Sequence, residues 1–239
     1  MGSRIGLLMV GHVDPKSVHI AGDYPELFRD LLDGQDLELV RYDLDLGRFP
    51  DSVSECDGWL CGPSRSSAYD DLPWRPDAEA LLREIVAVEA PYVGICFGHQ
   101  LLAQALGAPV ERATNGWQVG AHDYEIVERT AWMDAPTDRI TLIASHQDQV
   151  TEMPAGAALL ARDPDGACPI AGFTIGTRAW TLQPHPEFVA PLADHLLAGR
   201  VDLIGAERVA SARASLARPL GRATVARWIA RFFNDPIAA

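Results

Sequence analysis

The feature that most narrows the fold is a series of short apolar runs separated by helical patterns. Residues 5–10, 37–42, 58–60 and 92–95 are mostly apolar, and each has turn residues nearby. Runs of this length read as strands buried on both faces, as in a parallel sheet. Between them, 24–32 and 77–88 carry apolar residues at helical spacing. In the second, Ala78, Leu81, Leu82, Ile85 and Val88 share one face. Strand and helix in alternation predict a right-handed α/β sheet. From 110 to 182 the pattern turns strand-like, at 124–127, 140–144, 157–161, 170–175 and 179–182, with Gly and Pro between. Helical patterns return at 188–198, 206–216 and 224–233. The expectation is an α/β fold: a mostly parallel central sheet flanked by helices, a small additional β region and a helical tail.

A chain of 239 residues with 48 % hydrophobic residues can bury a core without staples. No internal repeat or separating linker is visible, so 1–239 reads as one domain, with a core over 1–199 and a helical extension over 200–239. The formal net charge is −13, which argues against binding nucleic acid or an anionic membrane surface. Cys56, Cys61, Cys96 and Cys168 show no paired spacing, and the histidines show no metal-ligand spacing, so neither a metal nor a cofactor is expected. The run at 5–10 is too short for a signal core or a membrane span. A cytoplasmic protein with free thiols is the expectation. The tail differs in sign: seven arginines against Asp202, Glu207 and Asp235 leave it at +4 and the remainder at −17. In its last helix Val225, Trp228, Ile229 and Phe232 form an apolar stripe at i, i+3, i+4, i+7, expected to pack on the body with the arginines solvated, the alternative being a partner-docking surface.

The sharpest local signal is Gly94-Ile-Cys96-Phe-Gly98, where a buried strand runs directly into a helical pattern. Glycines two residues either side of a nucleophile permit the strained strand-to-helix turn of a nucleophile elbow. Cys96 then sits at a helix N-terminus, where the dipole and unpaired N–H groups favour a thiolate, and the Phe97 N–H points at an oxyanion. Read alone, the same glycines also fit a buried cysteine in a closely packed turn. A thiolate nucleophile needs a base and an orienter for that base. Gln183-Pro-His-Pro-Glu187 supplies His185 and Glu187, with prolines on both sides of the histidine stiffening the loop. Cys61-Gly62-Pro63-Ser64 follows the run at 58–60, and Gly62 lets the backbone approach a ligand at the edge where α/β folds place their sites.

Gly94-x-Cys96-Phe-Gly-His-Gln100 together with Gln183-x-His185-Pro-Glu187 resembles the class I, or triad, glutamine amidotransferases. The resemblance extends through Gly22-Asp-Tyr24, Trp74, Gly116-Trp-Gln-Val-Gly120 and Ser145-His-Gln-Asp-Gln-Val150. It is to the stand-alone, GMP-synthase-like branch, which includes γ-glutamyl peptidases. The resemblance implies that Cys96 attacks a γ-carboxamide to form a γ-glutamyl thioester. It implies that His185 protonates the leaving ammonia and then activates water, with Glu187 orienting it. Gly62 and Phe97 N–H groups are implied as the oxyanion hole, Gln100 as a contact for the glutamyl group, and Ser145 and His146 for its α-amino and carboxylate ends. Cys61-Gly62-Pro63-Ser64 departs from the family, where Gly-Ser or Gly-Gly is commoner.

Two enzyme readings follow. In one, the protein hydrolyses L-glutamine and hands ammonia to a synthetase partner in trans. In the other, it is a self-sufficient hydrolase of γ-glutamyl peptides or amines, with water as acceptor. A non-catalytic regulatory module on the same fold is the third reading, and it requires a broken triad. The sequence carries neither an SGG-type pyrophosphatase loop nor a GxxxxGK[ST] phosphate loop that would activate an acceptor.

Overall fold

Each of the four leading apolar runs becomes a strand, and their side chains alternate between two cores. In a computed structural model of the chain, which describes residues 2–135 and 137–235, β1 (Ser3–Met9) is followed by α1 (Val18–Ala21) and α2 (Tyr24–Leu31). Then come β2 (Leu37–Asp43), β3 (Gly58–Cys61), α3 (Arg75–Ala87), β4 (Tyr92–Ile95) and α4 (Phe97–Ala105). The middle of the chain is β5 (Val110–Arg112), β6 (Gln118–Ile126), β7 (Arg139–His146), β8 (Asp148–Val150), β9 (Ala157–Arg162), β10 (Gly172–Ile175) and β11 (Ala179–Leu182). Four helices close it: α5 (Ala190–Ala198), α6 (Val201–Ile204), α7 (Ala206–Ser215) and α8 (Arg222–Asn234).

The main sheet has nine strands in the order β2-β1-β3-β4-β11-β10-β9-β6-β7. The first five pair in parallel, and from β11 outward every pairing is antiparallel. Most of the extra strands therefore extend the main sheet, and only β5 and β8 form a separate ribbon. The period-two alternation of a strand divides the core. In β1, Ile5, Leu7 and Met9 face one cluster with α2, α5, α7 and α8, while Leu8 faces a second with α3 and α4. Both faces of the sheet are thus covered, as parallel strands require.

Val225, Trp228, Ile229 and Phe232 of α8 are all buried in the first cluster, as their spacing predicts. The tail arginines stay largely exposed, as expected, and most of them also reach carboxylates of the body. Arg213 pairs with Asp194, Arg218 with Asp123, Arg222 with Asp30 and Arg227 with Asp134, at 2.5–2.7 Å. The basic tail is held on the acidic body by ion pairs as well as by its stripe. Exposed pairs of this kind contribute about 0–1 kcal/mol each, so the buried stripe dominates.

Candidate active site

The carboxyl ends of β3, β4 and β11 converge on one cavity of about 310 Å³. Cys96 stands at its base, between β4 and α4, with φ 52° and ψ −100°. A non-glycine residue in that region costs on the order of 1–3 kcal/mol and persists only where its surroundings enforce it. Here the enforcement is visible. The Cys96 N–H donates to the Leu182 carbonyl at 2.8 Å, and the Cys96 carbonyl accepts from the Gln100 N–H at 3.1 Å. A Cβ on Gly94 would lie 2.7 Å from the Gly98 carbonyl oxygen, and one on Gly98 would lie 2.9 Å from the Cys61 carbonyl carbon. Both glycines are needed because the turn folds on itself and against the end of β3.

The second chemical group comes from the loop after β11. The His185 N–H donates to the Ile143 carbonyl at 2.8 Å, tying the loop to β7. The imidazole stacks on Phe188, with ring centroids 4.1 Å apart. Its Nδ1 lies 2.7 Å from Glu187 Oε1, which fixes the proton on Nδ1 and leaves Nε2 for Cys96. Nε2 has no hydrogen-bond partner among the described residues. Burial alone pushes this imidazole towards neutrality. The charges of Cys96 and Glu187, with the hydrogen bond to Glu187, outweigh burial and raise its pKa above the usual imidazole value. An imidazole held by a carboxylate and set beside a cysteine is an arrangement suited to proton transfer at a thiol.

Cys96, Gln100, Ser145, His146 and His185 all line the cavity, with Glu187 directly behind His185. Gln100 donates from Nε2 to the Asp148 carbonyl at 2.8 Å and to Gln183 Oε1 at 3.0 Å, so its amide nitrogen is occupied by protein. Ser145 Oγ accepts from Arg200 Nη1 at 3.0 Å. His146 donates from Nδ1 to the Asp148 carbonyl at 3.2 Å. Burial first, and the charge of His185 second, push its pKa down to about 3, so it is neutral. Phe97 is the first residue of α4, and its ring packs on Trp74 with centroids 6.0 Å apart.

Gly62, expected as an oxyanion donor, has its N–H engaged by the protein. Its N–H donates to the Leu8 carbonyl at 3.3 Å, and a Cβ there would meet the Phe28 ring at 3.2 Å. A side chain there would press on Phe28, and the N–H is engaged in extending the β1–β3 ladder. From that loop Ser64, Arg65, Ser66 and Ser67 line the cavity instead. Among the described residues no group of three or more His, Cys, Asp or Glu is placed to hold a metal ion. No helix among them is long and apolar enough to cross a membrane.

The model of the family described as glutamine amidotransferase class-I matches residues 31–200. The chain belongs to the class-I glutamine amidotransferase family. It is similar to gamma-glutamyl peptidase 3 of Arabidopsis thaliana, 28% identical over 151 residues that cover 59% of this chain and 59% of that protein. Gamma-glutamyl peptidase 4 of the same plant is 27% identical over 190 residues, 74% of each chain. A glutamine-hydrolyzing GMP synthase of Geobacillus kaustophilus is 35% identical over 127 residues, 53% of this chain and 23% of the synthase. The chain thus spans about three-fifths of the first peptidase and under a quarter of the synthase. A glutamine amidotransferase from Thermotoga maritima shares the fold, with a TM-score of 0.78 at 21% identity, over 98% of this chain and 100% of that one.

Four further side chains of this amidotransferase-family chain reach its site, though sequence alone assigns them no role. Gln183 donates from Nε2 to Cys96 Sγ at 3.6 Å while accepting from Gln100, which itself bonds the Asp148 carbonyl, so it joins Cys96 to β8. Tyr24 lines the cavity at the start of α2, placed there by a capping box in which Asp23 and Glu26 satisfy each other's backbone N–H groups. Burial, then the charges of Cys96 and Glu187, raise its pKa, so the hydroxyl keeps its proton. Arg222 donates to the Pro186 carbonyl at 3.0 Å and the Glu187 carbonyl at 3.4 Å, bracing the histidine loop from α8. Arg200 enters the cavity from the turn after α5. The Gln183 and Tyr24 motifs carry a sequence signal. The two arginines carry none, because an arginine in a basic tail looks the same whether it points in or out.

Proposed function

We propose that the protein is a cysteine-dependent amidohydrolase that cleaves γ-glutamyl C–N bonds through a Cys96 thioester. The observation that carries this reading is the buried His185–Glu187 pair beside Cys96 in a strained elbow. Cys96 Sγ adds to the γ-carbonyl carbon, and the carbonyl oxygen becomes an oxyanion facing the Phe97 N–H at the start of α4. His185 then gives its Nε2 proton to the departing nitrogen, the C–N bond breaks, and the γ-glutamyl group stays on sulfur. Neutral His185 next takes a proton from water, whose oxygen attacks the thioester. Glutamate leaves and the thiolate–imidazolium pair is restored. Glu187 holds the imidazole in one orientation throughout and offsets its charge. The engaged N–H of Gly62 leaves Phe97 as the expected oxyanion donor.

L-glutamine, with ammonia passed to a separate synthetase, is the simplest substrate for this chemistry. Cleavage of γ-glutamyl peptides or amines with water as acceptor is a second reading, favoured by the similarity to the Arabidopsis gamma-glutamyl peptidases. The test is glutamate release by the purified protein alone, from L-glutamine and from a γ-glutamyl dipeptide, with Cys96→Ala as blank. Cys96-dependent glutamate from either substrate is the expected result. Equal release by Cys96→Ala contradicts the mechanism.

A further inference from the structure

The carboxylate of Asp148 is buried, at 7 % exposure, and both of its oxygens are bonded by hydroxyls. Ser67 Oγ donates to Oδ2 at 2.5 Å, and the Tyr69 hydroxyl donates to Oδ1 at 3.0 Å. A buried carboxylate is costly unless its oxygens are bonded, and hydrogen bonds to an ionised oxygen are of the strong kind. Both donors belong to the loop after β3, whose residues Ser64, Arg65, Ser66 and Ser67 line the cavity. Further ties on that loop come from Ala68, whose carbonyl accepts from Gln104 Nε2 at 2.8 Å and Arg75 Nη1 at 3.1 Å. Arg65 also lies 3.6 Å from Asp14.

The main chain of Asp148 faces the other way, towards the nucleophile. Asp148 opens β8, in the small ribbon that stands apart from the main sheet. Its carbonyl accepts from Gln100 Nε2 at 2.8 Å and from His146 Nδ1 at 3.2 Å. Gln100 Nε2 donates also to Gln183 Oε1 at 3.0 Å, and Gln183 Nε2 donates to Cys96 Sγ at 3.6 Å. An unbroken series therefore runs from Tyr69, 45 % exposed, through Asp148, Gln100 and Gln183 to the buried sulfur. Gln100 and Gln183 are both buried, so water has little access to replace a lost member.

We propose that Asp148 is a positioning residue that sets the cavity loop and the Cys96 sulfur together, the first by its side chain and the second by its main chain. This rests on the reading of Cys96 as the nucleophile. With both carboxylate oxygens bonded to the loop, Asp148 acts through Ser67, Tyr69 and Gln100 rather than on the scissile bond.

The test is a double-mutant cycle between the two ends of the series. Glutamate release from L-glutamine and from a γ-glutamyl dipeptide is measured for Tyr69→Phe, Gln183→Leu and the double variant, with Cys96→Ala as blank. Tyr69→Phe removes one half-exposed hydroxyl, and kcat is expected to fall about three- to tenfold with KM little changed. In the Gln183→Leu background the same substitution is expected to cost less than about twofold, because the series is already cut. Losses that add in the double variant overturn the proposal, and so does an unchanged kcat in Tyr69→Phe. Asp148→Asn keeps an acceptor for Tyr69 and an amide donor for Ser67 Oγ, and is expected to retain about tenfold more kcat than Asp148→Ala. An Asn variant as impaired as the Ala variant, with KM raised in both, also overturns the proposal, since the carboxylate charge then serves the substrate's ammonium group. In all these cases Cys96-dependent release by the wild type leaves the hydrolase reading standing. Absence of Cys96-dependent release from both substrates overturns both.

Discussion

His185 Nδ1 lies 2.7 Å from Glu187 Oε1, and the two side chains are 3 % and 0 % exposed. With water excluded, the carboxylate fixes the imidazole tautomer and offsets the charge that develops on it. Glu187→Gln keeps an oxygen able to accept from Nδ1 and loses the charge. The expected result is a fall in kcat of about 10²–10⁴ with little change in KM, read by steady-state glutamate release. An unchanged kcat contradicts the assigned role.

Gly98→Ala tests the geometry of the elbow. The added Cβ would lie 2.9 Å from both the carbonyl carbon and the Cβ of Cys61, and neither can swing away as a flexible side-chain tip would. The helix gains propensity from alanine, yet the strand end must shift. The expected outcome is a loss of about 1–3 kcal/mol in stability by denaturant unfolding, with a fall in kcat/KM.

Gln183 connects Cys96 Sγ to Gln100 from a fully buried position. Gln183→Leu removes one hydrogen bond to the nucleophile and leaves Gln100 Nε2 with the Asp148 carbonyl alone. A fall of about ten- to a hundredfold in kcat/KM is expected, while Gln183→Glu, which cannot donate when ionised, falls at least as far.

Acid stability follows from two buried histidines. Burial first pushes His99 and His146 down to about 3, with a neighbouring histidine's charge adding to it in each case. The unfolded chain binds protons at the usual imidazole value near 6.5, so stability falls as pH drops from about 6.5 towards 3. His185 acts oppositely: its raised folded pKa gives a contribution fully present below about 6.5 and lost at alkaline pH as the folded group deprotonates. His99→Asn can keep the bond to Thr181 Oγ1, 2.8 Å in the parent, and does not titrate. Its melting temperature is expected to fall less between pH 6.5 and 4 than the parent's.

The layered sheet was legible because strands buried on both faces write near-continuous apolar runs, and β11 (Ala179–Leu182) has the boundaries its sequence predicts. The elbow was legible because Gly94 and Gly98 are required sterically and cannot be exchanged silently. The joining of β10, β9, β6 and β7 to the main sheet was not, since strand pairing depends on contacts far apart in the chain. Nor was Gly62: a glycine before a proline reads the same whether its bare face meets a ligand or, as here, Phe28. Arg200 and Arg222 escaped for a related reason. Their roles depend on where α5 ends and α8 begins in space, which composition does not encode.

The most direct test of the account is acid-quenched mass spectrometry of the protein during turnover of a γ-glutamyl dipeptide. The account predicts a mass gain of one glutamyl group on the peptide carrying Cys96, absent in Cys96→Ala and accumulating when deacylation is slowed in Glu187→Gln. Turnover without such an adduct, or an adduct mapped to Cys56, Cys61 or Cys168, contradicts it.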